Sequence, residues 1–247
     1  MNTKNLIFTI FQKAFEIPGV TVDRDKFLRR VLSDLCSSED LENVIAGNPT
    51  QYFDLKILDS VADSEINSTR KKVSAISAGT GLGSNPVLSV ALAFGDMAQY
   101  MAFSMNIAQK LAYLYGYPDL RDDNGKITQK TLGMLVPMLG VMFGAKGSGA
   151  AMDVIAKELG RRALKKIPED MMEKMLKNQM VKRIMQILGI KSSEKLPQKA
   201  GSKLVPFIGA PISWAFTYFT FAPACKKLKK VLHDESVYFK GAHTSAN

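Results

Sequence analysis

Apolar residues near the start of the chain recur at every third or fourth position, the period of an α-helix with one buried face. Leu6, Ile7, Ile10, Phe11, Ala14 and Phe15 share such a face and predict an amphipathic helix docked on a core. The apolar run from Leu6 to Phe11 is too short for a secretory leader, and no small-residue cleavage site follows it. Asp23 then precedes Phe27, Leu28, Val31, Leu32 and Leu35, a second stripe expected to end near Ser37 and Ser38. Ser38 is expected to cap a short helix over 41–46, stopped by Gly47, Asn48 and Pro49. Leu55, Ile57, Leu58, Val61 and Ala62 mark a third helix. No run here alternates apolar and polar residues between turn signals, so no strand is expected.

The middle of the chain changes character. Between Val73 and Gln109 the only formal charge is Asp96. Gly79, Gly81, Gly83 and Pro86 are expected to divide this stretch into two apolar helices, over 73–78 and 87–115. The second is apolar on most faces, as suits a helix surrounded by others. Residues 131–145 are also uncharged and contain Pro137 and a Gly140-x-x-x-Gly144 pair, a spacing that allows close helix approach in lipid. An amphipathic helix is expected over 153–167, with Met152, Ile155, Leu159 and Ala163 on one side. Another begins at Pro168 and stops at Gly189. The expected fold is all-α, a compact multi-helix bundle with a buried apolar helical hairpin and amphipathic basic helices. An N-terminal helical segment, 1–54, packs on a helical domain, 55–240, and 241–247 form a flexible tail.

Between Lys203 and Lys226 lie 22 uncharged residues, six of them aromatic. That length suits a membrane span, but Pro206 and Pro211 cut away its first third and Pro223 is expected to end it. Residues 212–222, with Trp214, Phe216, Tyr218, Phe219 and Phe221, then reach roughly 16 Å at 1.5 Å per residue. A hydrocarbon core is about 30 Å thick, so this helix cannot span alone. With aromatics on every side it is expected in a protein core beside a basic, lipid-facing surface; Trp214, Phe216, Phe219 and Phe221 are the candidates for insertion should that core open.

Charge sharpens this picture. The net charge is +10, and residues 151–247 hold 18 Lys and Arg against 8 Asp and Glu, whereas residues 1–73 hold 10 against 11. A localised excess points to an anionic partner surface, phospholipid or nucleic acid. The candidate basic face comprises Lys157, Arg161, Arg162, Lys165 and Lys166, then Lys174, Lys177, Lys182 and Arg183, and finally Lys226, Lys227, Lys229 and Lys230. A mean hydropathy of -0.02 argues against a polytopic membrane protein. The C-terminal helices interleave lysine with methionine and lack an Arg-rich recognition helix, which disfavours nucleic acid.

Tests for chemistry return little. GTGLGS, 79–84, has Ser84 where a dinucleotide loop needs its third glycine, and GAKGSG, 144–149, lacks the GK[ST] of a phosphate loop. LRDDNGKITQKT, 120–131, carries Leu120 and Thr131 where a calcium loop needs its first and its bidentate acidic ligand. No metal site or cofactor is expected. The two cysteines, Cys36 and Cys225, have no paired spacing, which points to a reducing compartment. Cys225, beside Lys226 and Lys227, is a candidate for a lowered thiol pKa or for lipidation, with an unmodified thiol as the plainer alternative. His233 follows a lysine cluster and His243 lies in the tail, and for neither is a plausible Ser, Cys or metal partner expected. Asp96, alone in an apolar helix, is a candidate functional buried acid; an interhelical hydrogen bond would explain it equally.

Three segments and one aspartate, in order, resemble the EcsC family of bacterial proteins: INSTRKKVSAISAGTGLGSNP (66–86), then Asp96, IAQKLAYLYGYP (107–118) and LVPFIGAPISWAFTYFTF (204–221). The resemblance covers roughly residues 55–232. It implies a helical protein linked to membrane processes, with a namesake encoded beside an ABC transporter, and no established catalytic residues. The expected function is therefore non-enzymatic association with an anionic phospholipid membrane or a membrane protein, at the inner face of the cytoplasmic membrane. Insertion of apolar helices, as in a pore-forming effector, and oligomerisation are further expectations. The alternatives are a soluble interaction or nucleic-acid-binding module and a lipid-acting enzyme using Asp96.

Overall fold

Asp23 sits in extended backbone and its carboxylate accepts the Lys26 N–H at 3.0 Å, a cap that starts α1, Arg24–Leu32. The structure is a computed structural model and describes residues 11, 15, 18–77, 101–122, 129–162 and 214–240; of these, 75–77, 129–130, 161–162, 214–218 and 240 are described by backbone alone. Every regular element among the described residues is helical. α1 buries Phe27, Leu28 and Leu32 as the stripe predicts, whereas Leu35 falls in a following 3-10 turn and is exposed. Ser37, one residue before the expected cap, starts α2, Ser38–Ala46. Its hydroxyl oxygen accepts the Asp40 N–H at 3.1 Å and its O–H donates to the Asp40 carboxylate at 2.7 Å. Asn48 and Pro49 start the short α3, Pro49–Tyr52.

α4, Leu55–Ser77, is one helix. The stretch expected as a separate helix from Val73 is, as far as Ser77, its last part. Leu58, Ala62, Ile66, Thr69 and Val73 keep one buried face at spacings of three and four, so the helix has a reason to continue. Residues 101–114 form α5, nearly all of it buried. It ends at Gly116, whose φ of 96° places it in the left-handed region. There the Tyr117 N–H reaches the Ala112 carbonyl at 2.9 Å and the Gly116 N–H reaches Tyr113 at 3.3 Å, closing the helix. A Cβ at Gly116 would also collide with the Asn48 side-chain amide.

α6, Gln129–Met142, tolerates Pro137 within it and turns at Gly144, φ 71°, into α7, Ser148–Arg162. The glycine pair expected to bring helices together in lipid has another use. Gly144 ends α6, with the Ala145 N–H on the Gly140 carbonyl at 2.8 Å, and Gly140 leaves room for Ser148 Oγ of the same hairpin. α8, Trp214–Glu235, packs on α4, α6 and α7, and α9, Val237–Lys240, lies on α7 and α3. One apolar cluster runs from Phe11 to Phe239.

Polar contacts tie distant segments to this core. The Gln109 side chain accepts the Val22 N–H at 3.1 Å and donates to the Val20 carbonyl at 2.8 Å, holding the segment before α1 against α5. Buried Arg24 donates to the carbonyls of Ile45 at 2.6 Å and Gly47 at 2.8 Å. Glu65 on α4 pairs with Arg30 at 2.9 Å and Lys110 at 3.2 Å. Burial alone would raise its carboxyl, but the two cations outweigh it and hold it below the usual range. At the failed calcium loop, the Thr131 hydroxyl donates directly to the Leu120 carbonyl.

Candidate functional site

α8 is where the sequence placed most of its functional expectations. Pro223 does not end it: the helix runs 22 residues through the proline. Proline supplies no N–H, so one helical bond is lost, but Pro223 faces solvent. The flanking residues hold the helix together instead. Phe221, Ala222, Ala224, Cys225, Leu228 and Leu232 are all buried.

The outward face is sharply divided. Phe219, 69% exposed, stands one turn before Pro223, and exposed Lys226, Lys227 and Lys230 follow. Spacings of three and four put these residues on one side of the helix. Lys230 pairs with Asp234 at 2.8 Å, both of them in solvent. For Lys226 and Lys227 no carboxylate among the described residues lies within ion-pair distance. An exposed aromatic and a row of lysines thus share one edge. Phe219 departs from the expectation that every aromatic of this helix is enclosed, whereas Phe221 is fully buried, as that expectation has it.

Other basic-face candidates fall differently. Lys229 turns inward, donating to the Asp63 carboxylate at 2.8 Å and the Asp59 carbonyl at 3.3 Å, so it joins α8 to α4 and leaves the outer face. Lys157 pairs with Asp153 at 2.7 Å and lies over the Tyr238 ring. Arg161 and Arg162 form the last residues of α7, and Trp214 and Phe216 begin α8. Lys165, Lys166, Lys174, Lys177, Lys182, Arg183 and Asp96 lie outside the described residues. Cys225 is buried, and burial pushes its thiol up, the reverse of the lowered value its lysine neighbours suggested. The lysines point outward while the sulfur points into the core.

A polar cluster that the sequence did not reveal sits on the inner side of α8. Asp59 Oδ1 accepts the Tyr115 hydroxyl and lies 3.0 Å from His233 Nδ1. An ionised carboxylate only accepts, so His233 carries a proton on Nδ1. The Tyr115 and His233 rings meet edge to face, 6.2 Å between centroids. Burial alone would raise Asp59, but the hydrogen bonds from Tyr115 and His233, with Lys229 nearby, hold its carboxyl below the usual range. Burial and the Asp59 charge push the Tyr115 phenol well up. Asp59 and His233 are 174 positions apart, and no local spacing signals their meeting.

Among the described residues no group of three or more His, Cys, Asp or Glu is arranged to hold a metal ion, and no helix is long and apolar enough to cross a membrane. The Ser236 hydroxyl, near His233 in sequence, donates to the His233 carbonyl at 2.7 Å. Comparison with protein-family models, with curated proteins and with solved structures gives no match.

Proposed function

We propose that this chain is a non-enzymatic helical protein that docks on an anionic phospholipid surface through the outer edge of α8. The observation that carries the reading is the exposed row of Phe219, Pro223, Lys226, Lys227 and Lys230. Lysines attract anionic headgroups, and an aromatic ring at the same edge partitions into the interface behind them. Each lysine near such a surface contributes about 1 kcal/mol, so the three together amount to roughly 100-fold in affinity. The remaining charge excess of residues 151–247 adds to the same attraction. The setting that goes with this reading is the inner face of the cytoplasmic membrane, in a protein of EcsC type; that likeness rests on the order of its sequence segments.

Vesicle co-sedimentation tests the proposal. Binding to vesicles containing phosphatidylglycerol is expected at low salt, weak binding to phosphatidylcholine, and loss of most binding as salt rises past the point where the Debye length is about 8 Å. The K226E/K227E/K230E variant is expected to lose binding, and F219S to weaken it while keeping its salt dependence. Trp214, the only tryptophan, stands five residues before Phe219 and is expected to shift to shorter emission wavelengths on binding. No binding to anionic vesicles at low salt, or undiminished binding by the triple variant, would overturn the reading. Salt-sensitive binding to an oligonucleotide with none to vesicles would assign the basic edge to nucleic acid.

A further inference from the structure

Glu235 ends α8 with its carboxyl against the Tyr117 hydroxyl, which donates to it at 3.0 Å. The residue is 5% exposed and Tyr117 is fully buried. A carboxylate in such a place needs a cation, yet among the described residues the basic groups around it are engaged elsewhere. On α8, Lys229 goes to Asp63, Lys230 to Asp234 and His233 to Asp59. On α7, Lys157 goes to Asp153, and on α1, Arg24 donates to the carbonyls of Ile45, Gly47 and Tyr117. α3 contributes the uncharged Gln51, and α9 contributes Tyr238. Among the described residues the charges that act on Glu235 are negative: burial, with Asp153 and Asp234 adding to it against the Tyr117 hydrogen bond, pushes its carboxyl up to about 8.

α9 is joined to α8 through Ser236 alone. It has four residues, too few to be stable as a free helix; besides the Lys157 ammonium over the Tyr238 ring, three further contacts keep it in place. The Phe239 ring meets Tyr117 edge on, 5.4 Å between centroids; the Tyr238 hydroxyl donates to Asp153 at 2.9 Å; and Gln51 donates to the Phe239 carbonyl at 3.3 Å. Two of these contacts are made to Tyr117 and Asp153, which also set the state of Glu235.

We propose that the α8–α9 junction is a proton-operated latch, closed while the Glu235 carboxyl keeps its proton against Tyr117 and opened with release of that proton to solvent. In the open form the carboxyl meets water and ionises near its ordinary value of 4.5, whereas the closed form holds the proton up to about 8. The open-to-closed ratio therefore rises about tenfold per pH unit between those limits and levels off above them. Opening would uncover Tyr117 and Phe239, an apolar surface on the far side of α9 from solvent. This inference stands apart from the lipid reading and does not depend on it.

Amide hydrogen exchange of the full-length chain tests it, with rates for residues 237–240 normalised at each pH to the same peptide unfolded. The normalised rate is expected to rise roughly 100-fold between pH 5.5 and 7.5 and to be nearly level beyond pH 8.5. Protection of α4 serves as the reference for an intact fold. E235Q, neutral throughout, is expected to remain closed with no pH dependence. D153N removes a neighbouring negative charge and is expected to reach the plateau at lower pH, which decides the matter should E235Q not keep α4 protected. A flat wild-type profile, an E235Q profile as steep as wild type, or an unmoved plateau in D153N would each overturn the proposal.

Discussion

Asp59 gathers two hydrogen bonds on one oxygen, from a buried tyrosine and from a histidine 174 positions away. Hydrogen bonds to a charged group are worth about 1.5–3 kcal/mol each, with the upper end reached only where water is excluded. Asp59 is partly exposed, so D59N is expected to cost about 1–2 kcal/mol, read as a lower urea midpoint at unchanged slope. The pH dependence has a definite sign. The folded carboxyl titrates below its ordinary value of 3.8, so its contribution is complete above that value. It is lost as pH falls through the lower folded value. The gap between wild type and D59N is therefore expected to close in acid; a gap that persists there would mean that packing, not charge, accounts for it. Gly116 makes a different kind of residue-scale demand. Alanine there meets both the left-handed backbone and the Asn48 amide, and G116A is expected to lower stability by about 1–3 kcal/mol, measurable as a drop in thermal midpoint.

At the scale of the element, α8 shows how position decides what a proline costs. Pro223 lacks a helical N–H, but it faces water, where the loss is small enough for the buried residues around it to sustain the helix. P223A restores the bond at an exposed position and is expected to stabilise by about 1–3 kcal/mol, seen as a higher urea midpoint. No gain would mean that the proline ring itself packs on something. The same helix marks what could be read from sequence. Spacings of three and four revealed the buried faces of α1 and α7 and, in Leu58 and Ala62, part of that of α4, where Ile57 is exposed instead, because that period is local and needs no partner. Whether a proline faces water, whether Lys229 turns inward and whether Phe219 is left uncovered all depend on α4, α6 and α7, which lie far away along the chain. The pairing of Asp59 with His233, and of Tyr117 with Glu235 118 positions on, was invisible for the same reason. YLYGYPD, 113–119, spans the expected end of the helix over 87–115; its three tyrosine hydroxyls in fact reach the Val22 carbonyl, Asp59 and Glu235 in turn.

For the whole molecule the question is whether the first 54 residues fold with the rest or apart from it. Phe11 is fully covered, and Val20, Phe27 and Leu32 belong to the same apolar cluster as Leu58, Leu111, Leu135 and Leu228. Gln109 and Arg24 add buried hydrogen bonds across that boundary and within the N-terminal segment. A cluster shared in this way couples the unfolding of its parts, since neither side can expose its face without exposing the other. Removing a buried phenylalanine side chain costs about 3–5 kcal/mol. F11A is therefore expected to lower the urea midpoint of Trp214 fluorescence, which reports on α8, by the same amount as the midpoint of far-ultraviolet circular dichroism, which reports on all helices. Coincident curves that move together would show one cooperative unit. If the dichroism curve split and the fluorescence midpoint stayed in place, the N-terminal segment would be a separate unit resting on a core that is complete without it.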